Sequence, residues 1–443
     1  MASNVAVCLV MLSTAGFAFP SRAAKPANVL TRQDVLTIQN GSFYLQGKPY
    51  AEISFNKFDL FWEIYSLLDA GKGNTPEYNA MVKSEDRALS ELHSLGFHSI
   101  RIFAAPWANW EFRIVYDDPI KRQEVFYKAM DTTLDLCDKN QIKVVYSLGA
   151  ADFTDTKLVG SVWVGGEEQK RELMRDPNSR SRQDLYEYID DVVTRYKSRK
   201  TILMWEVSNE TTLTADISPD QNNVYQGLRM PSLLDVSQFL TDVAARIKAD
   251  DPLHLVNSGG SSLRASQWNQ YTKHNWQTDT VQQQDQALSL LYGDSAVDIL
   301  DIHYYTDNTS TNSMVRGPDG SLKSMGIEQY SEEAKALGKP LMVGEAGISV
   351  AANDSNPSNE RIYRQTPDFI DSYGSPNAVK WVKPLCDEIV AAKPQLVYFW
   401  EYSSDRPGDE NPPSFNFKKG TTDSAIAVIA EANKRLKAEL GAN

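Results

Sequence analysis

The chain has 443 residues, with 45 Lys and Arg against 58 Asp and Glu, a formal net charge of −13. Apolar residues make up 42% and charged residues 23%, a balance that excludes a disordered, collagen-like or coiled-coil protein. The pI near 5.0 and the lack of clustered Lys and Arg argue against nucleic acid as a partner. In chain order, the first segment is apolar: Val5–Phe19 is too short to span a bilayer comfortably, and small residues follow it, with candidate cleavage after Ala18 or Ala23. Residues 1–23 therefore read as a secretory signal peptide, which implies a secreted chain. No other stretch is long and apolar enough for a membrane helix. Residues 24–443 show no Pro/Ser linker, low-complexity tract or internal repeat, so one domain is expected, and the chain reads as a monomer. Cys137 and Cys386 fall inside helix-like patterns and are expected to be two buried thiols.

Asp34–Pro49 reads as a small hairpin with Asn40-Gly41 as its turn. Eight apolar, β-branched runs follow: Tyr50–Phe55, Ser99–Phe103, Lys143–Leu148, Ile202–Val207, Leu253–Asn257, Val297–Tyr304, Leu341–Glu345 and Leu396–Trp400. Helical patterns alternate with them, at Ser84–Leu95, Lys121–Asn140, Arg182–Lys197, Leu233–Ala249, Thr280–Tyr292, Ile327–Leu337, Ala378–Ala392 and Asp423–Leu440. Such alternation implies parallel strands joined by crossover helices. Turns from helix into strand are short, as at Gly96–His98 and Lys339–Pro340. Segments from strand into helix are long, as at Asn56–Lys83, Gly149–Ser181 and Ala346–Asn377. An α/β fold of the (β/α)8 TIM-barrel type, with long loops on the C-terminal face, accounts for this asymmetry. A doubly wound open sheet is the runner-up, but the Gly-rich turn usual after its first strand is absent after Phe55.

The chemistry of a barrel gathers at the C-terminal ends of its strands. Strand four ends in Trp205-Glu206-Val207-Ser208-Asn209-Glu210 and strand seven in Gly344-Glu345. A pair of carboxyls facing one cleft is the equipment of glycoside hydrolysis. With a period of two, Asn209 and Glu210 would face opposite sides, so the strand must bulge or end there for both to serve the site. Glu206 lies deeper and reads as a supporting carboxylate. Arg101 on strand two needs a carboxylate partner, for which Glu345 is the natural choice. His303 and Tyr305 share one face of strand six and can bond a sugar hydroxyl or a carboxylate. Trp400 ends strand eight, where an indole can floor a sugar ring. Trp62, Trp107, Trp110 and Trp163 lie in the long loops and suit stacking on sugars in outer subsites. Neither cysteine has metal-ligand spacing, and no metal or organic cofactor is expected.

The set Arg101, Asn209-Glu210, His303-x-Tyr305, Glu345 and Trp400, in that order along the chain, resembles glycoside hydrolase family 5, a family of retaining (β/α)8 enzymes. The resemblance runs from about Phe43 to Leu440. It implies that Glu210 is the acid/base and Glu345 the nucleophile, that Asn209 holds the sugar 2-hydroxyl, and that His303 and Tyr305 orient the catalytic pair. It also implies a β-linked polysaccharide as the binding partner. The runs Tyr188–Glu210 and Gly338–Gly347 are similar to those of family 5 mannanases, which puts β-1,4-mannan slightly ahead of β-1,4-glucan. An exo-acting β-glycosidase, a transglycosylase and a non-catalytic carbohydrate-binding barrel stand as alternatives.

Overall fold

The structure is a computed structural model that describes residues 30–103, 115–149, 172–218, 222–225, 228–305, 314–347, 378–403, 417–418, 420 and 422–442. Near the start, β1 (Leu36–Gln39), β2 (Ser42–Leu45) and β3 (Lys48–Pro49) form a small antiparallel sheet. Gln39 pairs with Ser42, so the turn contains only Asn40 and Gly41. Both have positive φ, 49° and 71°, as a two-residue hairpin turn of this hand requires.

The barrel strands are β4 (Glu52–Asn56), β5 (Ser99–Phe103), β6 (Lys143–Ser147) and β7 (Ile202–Glu206). A small hairpin follows, β8 (Val224–Tyr225) and β9 (Leu228–Arg229), then the barrel strands β10 (Leu255–Asn257) and β11 (Leu300–Tyr305). A second hairpin, β12 (Met314–Arg316) and β13 (Leu322–Ser324), precedes the last two barrel strands, β14 (Leu341–Gly347) and β15 (Leu396–Phe399). The eight barrel strands pair in the order β10-β7-β6-β5-β4-β15-β14-β11, with every neighbour parallel. The row curls until its two ends meet. The Asp298 N–H donates to Val256 O at 2.8 Å, and the Asp298 carboxylate accepts the Val256 N–H at 2.8 Å. These bonds cross the seam between β10 and β11 and all but close the expected barrel.

Strand alternation sorts the side chains. Ile53, Phe55, Ile100, Ile102, Val144 and Tyr146 face outward and join the helices in one apolar core. Each such fully buried side chain contributes roughly 1.5–3 kcal/mol. Inside the barrel, Val145, Met204, Leu255, Ile299, Met342 and Leu396 form a separate apolar layer. Leu36 and Phe43 of the hairpin belong to this layer, so the hairpin plugs one end. The inward positions nearer the other end are polar.

The eight expected helices are present; Ala378–Ala392 and Asp423–Leu440 have the expected ends, and the others are shifted. The first spans Pro76–Ser94 rather than Ser84–Leu95. The stretch 56–83, read as a loop, contains a further helix, Phe58–Asp69. Its Leu60, Phe61, Ile64, Tyr65 and Leu68 are buried, a helical spacing of apolar residues within a segment marked as loop by its position. Cys137 and Cys386 are free and buried. Among the described residues, no helix is long and apolar enough to cross a membrane. Residues 1–23, Trp107, Trp110 and Trp163 lie outside the described residues.

Candidate active site

The polar layer is organised by Arg101, which is fully buried on β5. Its Nε and Nη2 grip both oxygens of Glu206 at 2.9 and 2.8 Å. Nη1 reaches Glu345 Oε1 at 3.0 Å and Asn56 Oδ1 at 2.9 Å, and Nη2 also donates to Asn209 Oδ1. The two-pronged partner of Arg101 is therefore Glu206, on β7, two strands away across β6. Glu345 takes a single bond from Arg101, so the expected pair is present, and Glu206 is a second carboxylate partner beside it. A planar guanidinium suits this role because its five donors bind several acceptors at fixed angles. Desolvation opposes its charge, but Glu206 and Glu345 outweigh that and keep its pKa above the ordinary arginine value.

Glu345 reaches the layer through a bulge. The pairing of β11 with β14 slips between Ile302 and His303, so that His303 stands beside Glu345 and Gly344 is left over. The freed Gly344 N–H donates to Asp301 Oδ1 at 3.0 Å. A Cβ on Gly344 would lie 2.9–3.0 Å from the Asp301 carboxylate oxygens and 3.0 Å from His303 Nε2, so a larger residue would have to push those side chains aside. Both Glu345 oxygens are satisfied, one by Arg101 and the other by the Tyr305 hydroxyl at 2.6 Å.

Glu210 arrives differently. β7 ends at Glu206, and the chain turns sharply until Glu210 adopts a left-handed φ of 51°. The strand ends, as the period-two argument requires, and a one-turn helix, Thr211–Thr214, follows. His303 Nδ1 lies 2.9 Å from Glu210 Oε1 and 3.5 Å from Glu345 Oε1. Burial drops the His303 pKa to about 4, with Glu345 pulling the other way, so the imidazole is neutral near pH 7. The Glu210 side chain is 26% exposed and that of Glu345 8%; the first opens toward solvent and the second is sunk in the wall.

Trp400 is half-buried at the end of β15, its ring 6.1 Å from those of Phe58 and Phe103. Trp62 lies on the Phe58–Asp69 helix, stacked on Tyr65. The structure thus brings Arg101, Asn209, Glu210, His303, Tyr305 and Glu345 into one hydrogen-bonded cluster, with Trp400 at a neighbouring strand end.

Three residues of this layer were not legible as such in the sequence. Asn56 bonds Arg101 and donates to Gly344 O at 3.0 Å and Tyr398 O at 3.2 Å. Asn257 donates to Glu206 at 3.1 Å and Asp301 at 2.7 Å. Asp301 supports Gly344. Each is a polar residue at an inward strand position, and that period-two placement was the available signal.

One ligand atom each from Glu210, His303 and Glu345 lies within 4.8 Å of the others, a set that could hold a metal ion. The Arg101 guanidinium, 3.0 Å from Glu345, works against a cation there. The trio is better suited to moving protons and attacking carbon.

The family model for cellulase (glycosyl hydrolase family 5) matches residues 68–382. The chain belongs to glycoside hydrolase family 5. It is a glycoside hydrolase on a (β/α)8 barrel. A relative from Oryza sativa subsp. japonica, mannan endo-1,4-beta-mannosidase 8, is 22% identical over 331 residues, covering 69% of this chain and 78% of that protein. The family 5 mannosidase from Rhizomucor miehei has a similar structure, with a TM-score of 0.61 at 15% identity, covering 93% of this chain and 99% of that one. The endo-1,4-beta-mannanase of the same organism gives 0.59 at 14% identity, covering 91% and 99%.

Proposed function

We propose that this glycoside hydrolase is a secreted, endo-acting, retaining β-1,4-mannanase, with residues 1–23 as its signal peptide and the remainder as one domain. The observation that carries the mechanism is the spacing of Glu210 and Glu345. Oxygens of the two carboxyls lie within 4.8 Å of one another. Retaining enzymes hold the pair about 5–5.5 Å apart, and inverting enzymes open it to about 6.5–9.5 Å to admit water. The relatives named above support mannan as the substrate.

In this reading Glu345 attacks the anomeric carbon. Arg101 and Tyr305 donate to its two oxygens, which aims the carboxylate and compensates its charge in a buried wall. Glu210, the more open carboxyl, protonates the leaving oxygen and then takes a proton from the water that releases the glycosyl-enzyme. A neutral His303 serves both states of Glu210. Its Nδ1 accepts a hydrogen bond from the acid form in one tautomer, or donates one to the carboxylate in the other. Asn209 stands ready for the sugar 2-hydroxyl and Trp400 for stacking.

The test is reducing-sugar release from soluble β-mannan, β-glucan, cellulose and xylan, with Glu345→Gln as the blank and product anomers followed by NMR. Mannan cleavage that yields the β-anomer first and disappears in the variant is expected. Preference for another polymer refutes the substrate, and an α-anomer as first product refutes retention.

A further inference from the structure

Glu210 holds a backbone conformation that its residue type rarely adopts, so something outside it must enforce that shape. The loop after β10 does so at two points. Gly259 accepts the Glu210 N–H on its carbonyl at 2.7 Å. Gly259 itself has a φ of 69°, and a Cβ there would stand 1.7 Å from Ser208 O, so the two backbones meet with no side chain between them. Further on, Arg264 reaches across to the one-turn helix that begins after Glu210. Its Nη1 donates to Leu213 O at 2.8 Å, its Nη2 to Ala215 O, and its Nε to Gln270 Oε1 at 2.9 Å. Gln267 also donates to Ala215 O, at 3.3 Å. The Leu213 N–H in turn donates to the carbonyl of Glu210 at 3.0 Å. One residue, Leu213, therefore links the Arg264 guanidinium to the Glu210 backbone.

The chemistry of this arrangement is unusual. Among the described residues, no carboxylate lies within ion-pair distance of Arg264. Its fork is spent on two carbonyls at the C-terminal end of a single helical turn, where orphan acceptors and a negative dipole end favour a cation. Burial lowers its pKa only to about 10, so the charge persists at neutral pH. A hydroxyl pair, Thr212 with Ser261 at 2.8 Å, ties the same two segments together.

We propose that Arg264 is a positioning residue for the acid/base carboxyl of Glu210. It acts by clamping the turn that sets the direction of that side chain. Glu345, held on β14 by Arg101, Tyr305 and the Gly344 bulge, does not depend on this clamp. Removing Arg264 should therefore impair protonation of the leaving group and leave nucleophilic attack intact.

This inference rests on the catalytic reading above, and the experiment separates the two. Wild type, Arg264→Met, Arg264→Gln, Arg264→Lys and Glu210→Ala are assayed on β-mannan and on 2,4-dinitrophenyl β-mannobioside. Dinitrophenolate departs without protonation, so kcat/KM on the aryl substrate reports attack by Glu345 alone. A misplaced catalytic group costs about 10²-fold, and a loss of that order in kcat/KM on mannan is expected for Met and Gln. The aryl substrate should lose less than about 3-fold, on the logic that only transition-state contacts matter. Lys should restore part of the mannan rate, and Glu210→Ala should show the same split, larger. Thermal melts identify which variants are folded, and Gln serves if Met does not fold. Equal losses on both substrates in folded variants overturn the positioning role alone, as does an unchanged mannan rate. A wild type silent on the aryl substrate and on all four polysaccharides overturns the catalytic reading and the positioning role with it.

Discussion

At the scale of single residues, the site turns on which charges are compensated and by whom. Arg101 binds Glu206, Glu345, Asn56 and Asn209 at once, so replacing it with Met strands two carboxylates in the wall. Breaking a buried pair in this way costs about 3–5 kcal/mol, and a correspondingly lower urea midpoint is the expected readout. Glu210→Gln keeps the shape but removes the proton, and a loss on the order of 10²–10⁴ in kcat on polysaccharide is expected. His303 supplies a pH signature. Its pKa falls from 6.5 to about 4 on folding, so between those values the unfolded chain binds the proton that the native site refuses. Stability should rise with pH across that window, by about 3 kcal/mol at ~1.4 kcal/mol per pH unit. Denaturant melts of wild type and His303→Gln at pH 4.5 and 7 check this, because the variant should lose that part of the slope. The motif residues at strand ends were legible because charged side chains interrupt apolar runs there. The two-pronged grip of Arg101 on Glu206 was not, since the sequence does not say which inward side chains of alternate strands meet in one layer.

At the scale of elements, the sequence marks where a strand or helix lies more readily than how its end is bent. The bulge at Gly344 and the sharp exit from β7 both place catalytic candidates, and both arise from pairing with distant strands. The helix Phe58–Asp69 shows the opposite limit. Its apolar spacing is plain, yet its place between a strand and an expected helix disguised it as a loop. Between the helices Val281–Tyr292 and Ile327–Ala336, Asp285 and Glu333 share a hydrogen bond. Burial, then Asp285, lifts the Glu333 pKa from 4.5 to about 7. The native pair keeps a proton that the unfolded chain releases, so its contribution is full below pH 4.5 and is lost as pH rises to 7. Glu333→Gln should therefore raise the melting temperature at pH 8 and change it little at pH 4.

At the scale of the whole molecule, the fold was legible because eight alternations and one-sided loop lengths leave few architectures. The manner in which the ring closes was not, because it depends on contacts between β10 and β11, strands that the chain visits in succession but does not pair as a regular ladder. That seam has a functional consequence. A cask fails at its loosest stave, and here the loosest joint runs between the strand whose loop clamps Glu210 and the strand that carries His303 and Tyr305. Parting the seam would pull the acid from its histidine while the other seven joints still hold. In rising urea, activity should thus disappear before the far-ultraviolet helix signal does. The amides of Val256 and Asp298 should exchange with solvent ahead of those in β5 and β6. For this enzyme, the concentration at which it stops working and the one at which it comes apart should be two different numbers.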